Sequence, residues 1–200
     1  MIEQQINIRP ATPDDADAFH RYVVMTSSEY DFFFAPRTRE AMAEFFRRRN
    51  NIFSHEHTRF AEIGGQTAGM ILSYSGKQQY AGMPASAMIF LKNLGAGVFT
   101  KMSSLARYAT RGGPAGISDH YISNLAVDPG FRRRGVAQAL LADAERRARA
   151  ANCKCLSLDM DKDNPPAKAL YEKNGFTAAS EFSLDLEKTH YYYRMAKILG

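Results

Sequence analysis

The sequence predicts a mixed α/β fold, a sheet of parallel and antiparallel strands flanked by helices, built as one domain over residues 1–200. From Asp119 to Asp159 an apolar strand, a tight loop, a helix and a second apolar strand follow one another. This order is a crossover unit and implies two parallel strands. Earlier in the chain, residues 58–63 and 67–73 flank Gly64-Gly65-Gln66, which indicates an antiparallel hairpin. The length of 200 residues fits a single domain.

The N-terminal elements follow from local signals. Residues 6–9 read as a short strand, and Thr12 and Pro13 predict the cap and first turn of a helix. The aromatic run at residues 30–36 is interpreted as a turn whose rings anchor the core or line a pocket. Apolar residues at helical spacing then predict a helix over residues 38–52.

Apolar residues at steps of mostly three and four predict a helical segment over residues 77–117. A strand up to Val127 comes next. The remaining predicted elements are a helix at 135–150, a strand at 153–159, a helix at 165–173 that stops at Gly175, and strands at 178–184 and 190–198.

The charge of the chain favours a small polyanionic ligand. The net charge is +5 and the pI about 9.2. Part of this charge lies at Arg132–Arg134 beside a glycine, whereas nucleic acids usually require a broad basic face. We therefore expect no nucleic-acid and no membrane partner. A second basic group, Arg146, Arg147 and Arg149, is interpreted as a solvated helix face.

The two cysteines, Cys153 and Cys155, indicate neither a disulfide framework nor a metal centre. In a strand their spacing would place both on one buried face, and no Cys/His pair at suitable spacing completes a zinc site. The N-terminal residues lack the basic and apolar regions of a signal peptide, and residues 78–91 are too short and interrupted to span a bilayer. A cytoplasmic location is expected, and the sequence leaves a homodimer open.

The strongest chemical signal is the basic loop between the strand ending at Val127 and the following helix. The N–H groups that begin a helix have no partner within it and attract anions. Gly135 allows close backbone approach, and Arg132–Arg134 add positive charge. A pyrophosphate would fit such a loop, whereas the glycine patterns of triphosphatases and dinucleotide-binding proteins are missing.

These motifs resemble those of the GNAT superfamily of acyl-CoA N-acyltransferases. The family loop, Gln/Arg-x-x-Gly-x-Gly/Ala, is matched by Arg132-Arg-Arg-Gly-Val-Ala137. The downstream pattern of Asn, Ala, Leu-Tyr and Gly-Phe is matched between Asn164 and Phe176, and the close match covers roughly residues 120–177. Residues 77–117 look like a helical insertion. The stretch from Leu158-Asp159 through Tyr171 is most similar to the ribosomal-protein N-terminal alanine acetyltransferases.

The resemblance implies an N-acetyltransferase that uses acetyl-CoA as cosubstrate and no metal. It places Tyr171 near the cofactor sulfur as proton donor. Those relatives carry a catalytic Glu five residues before the Asn, where this chain has Asp159, one methylene shorter. The cofactor-binding residues that it implies are Leu125, Ala126 and Val127 for the pantetheine arm, Arg132, Arg133, Arg134, Gly135, Val136, Ala137 and Gln138 for the pyrophosphate, and Asn164.

Acyl transfer to an amine needs a proton acceptor, since only a neutral amine attacks a thioester. Asp159 is the first candidate for the proton acceptor, and its partial burial would raise its proton affinity. His120, near the start of the preceding strand, is the second candidate. Cys153 and Cys155 lack a recognisable partner base, so direct transfer is expected rather than a covalent intermediate.

Three functions remain open from sequence. The first is acetylation of a small-molecule amine, with the insertion at residues 77–117 closing a small pocket. The second is acetylation of a protein N-terminus or lysine, which an open groove over Tyr171 would favour. The third is a non-catalytic acyl-CoA-binding regulatory module. The acceptor and the length of the acyl group are not readable.

Overall fold

Seven strands form one sheet in the computed structural model, which describes residues 5–27, 29–94, 115–185 and 189–200. The strands are β1 (Asn7–Pro10), β2 (Thr58–Ile63), β3 (Gln66–Ser75), β4 (Asp119–Val127), β5 (Cys155–Asp161), β6 (Thr177–Asp185) and β7 (Thr189–Ile198). They lie in the order β1-β2-β3-β4-β5-β7-β6. β4 and β5 are parallel and the other neighbouring pairs are antiparallel, which confirms the predicted mixed sheet.

Helices cover both faces of the sheet. In the described ranges they are α1 (Ala16–Val23), α2 (Glu29–Phe34), α3 (Thr38–Arg47), α4 (Gly76–Leu94), α5 (Val136–Ala150) and α6 (Pro165–Lys173). α4 forms the first part of the predicted insertion at residues 77–117, and residues 95–114 of that prediction lie outside the described residues. The crossover helix α5 and the helix α6 lie where the sequence predicts them.

Two predictions in the N-terminal half need correction. The aromatic run is not a turn but the helix α2, because its rings pack into the core: Phe33 and Phe34 lie 5.1 and 4.6 Å from the Phe90 ring. α3 ends at Arg47 rather than near residue 52. Its end is fixed by Asn51, whose amide donates to the carbonyls of Phe45 and Arg48.

The sheet separates two hydrophobic cores. One lies under α1–α4 and is rich in aromatic rings, with Phe19 stacked on Phe46 at 4.4 Å. The other lies under α5 and α6 and is mainly aliphatic. Neighbouring residues of β3 alternate between them, Met70 in the first and Ile71 in the second.

The pairing of β4 shapes the site. β4 pairs with β5 only from Asp119–Cys155 to Ile122–Leu158, although both strands continue beyond that point. The register with β3 also shifts, so that Ile122 and Asn124 are paired with consecutive residues of β3. The two parallel strands therefore diverge beyond Ile122 and Leu158.

Candidate functional site

A cavity of about 800 Å³ opens where β4 separates from β5. Its wall includes the second half of β4, the loop before α5, the first turn of α5 and one side of α6. Of the residues predicted to bind the cofactor, all but one line it: Leu125, Ala126, Val127, Arg132, Arg133, Gly135, Val136, Ala137, Gln138 and Asn164. The structure thus brings the two sequence motifs together around one space.

The loop between β4 and α5 presents the helix N-terminus to this cavity. The side chain of Asp128 accepts from the Gly130 N–H at 2.9 Å and fixes the start of the loop. Gly135 is the N-cap of α5 with φ +83°, a conformation that favours glycine, and a Cβ there would have only Ile6 as neighbour, at 3.8 Å. Because Ala139 is the first residue to bond back into the helix, the three preceding N–H groups remain for an anion.

The three arginines of the loop differ in position. Arg132 and Arg133 line the cavity. Arg134 lies over the Phe131 ring, 5.4 Å from its centroid, and is the predicted cofactor residue that does not line the cavity. Lys173, at the end of α6, also lines the cavity, although no motif indicated it.

A second cavity, of about 260 Å³, adjoins the first between the diverging strands. Its wall combines residues around the C-terminal end of α1 and the start of α2 with residues from β4, β5, α6 and β7. Leu125, Asn164 and Tyr171 line both cavities. No described residue of α4 lines the second cavity, so this part of the predicted insertion does not close that pocket.

Tyr171 lies at the junction of the two cavities. It is 8% exposed, packs edge-on against Phe176 with centroids 5.7 Å apart, and belongs to the aliphatic core. Burial raises the pKa of its phenol to about 12. The hydroxyl is therefore protonated at neutral pH, as a proton donor must be.

Asn164 has a structural role as well as a place in both cavities. Its Oδ1 accepts from the Ala167 N–H at 3.1 Å and caps α6. The residue predicted to contact the cofactor therefore also fixes the helix that carries Tyr171.

Asp159 lines the second cavity but is held in an ion pair. Arg194 of β7 donates to both of its carboxylate oxygens, at 2.7 and 2.8 Å, and the Tyr121 hydroxyl donates at 2.9 Å. The ion pair raises the pKa of Arg194. Proton acceptance by Asp159 stays a prediction, and it would weaken this ion pair.

His120 is not in the wall of either cavity. It is 3% exposed and its Nε2 lies 3.1 Å from the Ser73 hydroxyl. Burial, together with nearby Arg147, lowers the pKa of His120 to about 3. The position does not suit the proton-acceptor role that the sequence left open for it.

Two further sequence-based interpretations need correction. Arg147 is not part of a solvated face, because it reaches under α5 to Asp143 at 2.8 Å and to the Ser73 hydroxyl at 2.7 Å. Cys153 lies in the turn before β5, so the two cysteines do not share a strand face; Cys153 is buried and Cys155 half-buried.

Several residues of the second cavity were missed by sequence reasoning. Glu29 begins α2, and Tyr192 and His190 lie on β7. The Tyr192 hydroxyl donates to Glu29 Oε1 at 2.7 Å across 163 positions of sequence. No local motif marks them, because only the position of β7 between β5 and β6 brings them to the site.

Within the described ranges, His, Cys, Asp and Glu form no group of three that could hold a metal ion. The same part of the chain contains no helix with the length and hydropathy to cross a membrane.

Comparison with known proteins agrees with this geometry. Residues 22–176 match the model of the acetyltransferase (GNAT) family. The chain belongs to this family of acetyltransferases, as its motifs and its splayed sheet indicate.

A sequence relative is GCN5-related N-acetyltransferase 4, chloroplastic, from Arabidopsis thaliana, with 38% identity over 86 residues that cover 40% of this chain and 28% of the relative. The chain thus spans well under two thirds of that protein.

The fold is that of solved acetyltransferases. An N-acetyltransferase from Staphylococcus aureus Mu50 has a TM-score of 0.68 and 23% identity, with 95% and 99% of the two chains covered. The ribosomal-protein-S18-alanine N-acetyltransferase from Escherichia coli has a TM-score of 0.59 and 15% identity, with 98% and 95% covered.

Proposed function

We propose that this protein transfers the acetyl group of acetyl-CoA to the primary amine of a small molecule. The observation that carries the proposal is that Tyr171 lines both cavities, so that a buried phenol lies where a thioester and an amine would meet. Family membership supports acetyl transfer.

The larger cavity fits coenzyme A by its chemistry. Its arginines and the first N–H groups of α5 suit a pyrophosphate. The separated edge of β4 offers backbone groups to the amide-bearing pantetheine arm. Together they would direct the thioester towards Tyr171.

Each proton released or taken up in the proposed acetyl transfer has a donor and an acceptor. An acceptor ammonium loses one proton to a carboxylate of the second cavity, Asp159 in the sequence-based assignment, and this proton passes to water. The neutral nitrogen attacks the thioester carbon, the C–N bond forms and the C–S bond breaks. Tyr171 gives its proton to the departing sulfur and regains one from the acylated nitrogen through water. The products are the amide, free coenzyme A and one proton.

The size of the second cavity favours a small acceptor. Its volume of about 260 Å³ lies just below the range of roughly 300–1,000 Å³ that is typical of ligand pockets. A small amine, or one end of a larger one, fits this space.

Release of free thiol from acetyl-CoA over an amine panel tests the function. The panel contains small alkylamines, amino acids, amino-acid amides and short peptides with free N-termini. Turnover restricted to the small amines supports the proposal. Preference for the peptides would indicate a protein acetyltransferase, and tight coenzyme A binding without turnover would indicate a regulatory module.

A further inference from the structure

His190 is a residue of the second cavity that the proposed chemistry leaves without a task. It lies near the start of β7 and forms part of the cavity wall. Because side chains alternate between the two faces of a strand, His190 shares a face of β7 with Tyr192 and Arg194. Those two side chains bond to carboxylates of the same wall, Tyr192 to Glu29 and Arg194 to Asp159. His190 therefore continues a row of side chains that borders the acceptor space.

Aromatic stacking holds the His190 ring in place. The ring lies 6.3 Å from that of Tyr192 at an angle of 26°, and Tyr192 is itself stacked on Phe182 at 5.2 Å. In the described part of the chain, the ring nitrogens of His190 form no hydrogen bond. The residue is half-buried, so the ring also has a route to water. Stacking thus fixes the imidazole and leaves its nitrogens available to a ligand.

The carboxylates of the cavity are already engaged. Arg194 donates to both oxygens of Asp159. Glu29 accepts from a tyrosine hydroxyl at 2.7 Å, and Asp161 accepts from a backbone N–H at 2.8 Å. Such donors compete with a proton for the lone pairs of the carboxylate. A proton on Asp159 would in addition separate it from Arg194, whereas a proton on His190 would break no hydrogen bond of its ring in the described structure.

We infer that His190 takes the proton from the acceptor ammonium, in place of the carboxylate assigned from the sequence. This inference rests on the proposed function and names a further catalytic residue of that same site. An ammonium N–H bond breaks and its proton moves, directly or through a water, to a nitrogen of the neutral imidazole. The imidazolium releases that proton to solvent. The neutral amine forms the C–N bond as the C–S bond breaks, and Tyr171 protonates the departing sulfur as before.

Several titratable groups surround His190. Those that line the cavity with it are Glu29 on α2, Asp159 and Asp161 on β5, Tyr171 on α6 and Tyr192 on β7. On β6 the residue paired with His190 is Leu184, and the carboxylate of Asp185 follows it. The pH profile of the wild type therefore contains contributions from more than one group. Only a comparison between variants assigns its acidic limb to one residue.

His190→Phe is the first test, because it keeps a ring that stacks on Tyr192 and removes the proton acceptor. We expect kcat/KM for the best amine of the panel to fall by about 100-fold and the acidic limb of its pH profile to disappear. The KM for acetyl-CoA should stay within about twofold. Asp159→Asn should keep the acidic limb. His20→Phe is the matched control, since His20 is half-buried and lines neither cavity, and it should behave as the wild type.

Imidazole rescue distinguishes proton transfer from packing. His190→Ala removes the ring, and we expect free imidazole in the buffer to raise its kcat/KM by about tenfold. The gain should follow the concentration of neutral imidazole as the pH changes. Tyr171→Phe should show no such gain. A side chain that only packs against Tyr192 would not be replaced by a free base in this pH-dependent way. Circular dichroism and acetyl-CoA affinity show whether His190→Ala is folded.

The outcomes separate the inference from the function. An intact acidic limb in His190→Phe, or a folded His190→Ala that imidazole does not rescue, overturns the inference and leaves the function standing. Dependence on His190 with peptides as the preferred acceptors supports the inference and overturns the small-molecule function. The absence of turnover with any amine overturns both.

Discussion

Tyr171 is a core aromatic and a candidate proton donor at the same time. Its ring packs in the aliphatic core while its side chain also reaches both cavities. Tyr171→Phe keeps the packing and removes the hydroxyl. We expect kcat to fall by about 100-fold, the size of a typical general-acid contribution, while acetyl-CoA affinity is nearly unchanged. Steady-state kinetics and calorimetry check this.

The control is Tyr191→Phe on β7, where the ring is 56% exposed and outside both cavities. It should behave as the wild type. If Tyr171→Phe retains full turnover, the phenol is only a packing or cofactor contact.

Asp159 can be tested against its own ion-pair partner. Asp159→Asn and Arg194→Gln each leave the other half of a nearly buried pair, whose side chains are 10% and 14% exposed. We expect each to lower the free energy of unfolding by about 3 kcal/mol, measured by urea denaturation.

The pH profile of kcat/KM then distinguishes whether Asp159 accepts a proton or has only a structural role. If Asp159 accepts the proton, Asp159→Asn alone loses the acidic limb. If Asp159 serves only to hold Arg194 and Tyr121, both variants keep that limb and lose activity in parallel.

At the scale of elements, the loop before α5 should determine cofactor affinity. Arg132 and Arg133 line the cavity and Arg134 does not. Neutralising the first two together should raise the Kd for acetyl-CoA by about 100-fold, because two charge-assisted hydrogen bonds are lost. Arg134→Ala is the matched control and should change the Kd by about twofold at most. Equal effects in calorimetry would place the pyrophosphate elsewhere.

Local sequence signals correctly predicted the elements whose structure depends on residues that are close in sequence. Gly64 and Gly65 both have positive φ in the predicted hairpin, and the crossover strand, loop and helix lie as expected. The aromatic run at residues 30–36 was wrongly predicted to be a turn. Its helix is stabilised by ring packing against α4, and a local sequence pattern does not show such a long-range contact.

The two cavities of the site differ in the same way: one could be predicted from local sequence and the other could not. Most of the cofactor cavity is made of two short segments, residues 125–138 and 164–173, which carry the motifs, so the sequence could indicate it. The second cavity takes part of its wall from the α1–α2 region and from β7, and only the sheet order brings Glu29 to Tyr192.

At the scale of the whole molecule, His120 links stability to pH. Its pKa of 6.5 in the unfolded chain is lowered by burial, and by Arg147, to about 3 in the folded protein. Below pH 6.5 His120 therefore binds a proton in the unfolded state but stays neutral in the folded state. The free energy of unfolding consequently falls as the pH falls. This one group should cost about 2 kcal/mol between pH 7 and pH 5.

Urea unfolding at pH 7, 6 and 5 measures this slope. Burial also lowers the pKa of His57, which adds in the same direction. His120→Gln should reduce the loss between pH 7 and pH 5. An identical slope in the variant would contradict the buried neutral histidine.

The divergence of β4 from β5 has a consequence for how the sheet is completed. Beyond Ile122 no strand of the described part of the chain pairs with the edge of β4 that faces β5, although this edge lies in the middle of the sheet. Backbone amides on that edge at residues 123–127 should exchange with deuterium faster than those at 119–122, and acetyl-CoA should slow them. The amide-bearing arm of the cofactor would then serve as the missing length of strand, and binding the cosubstrate and finishing the sheet would be the same event.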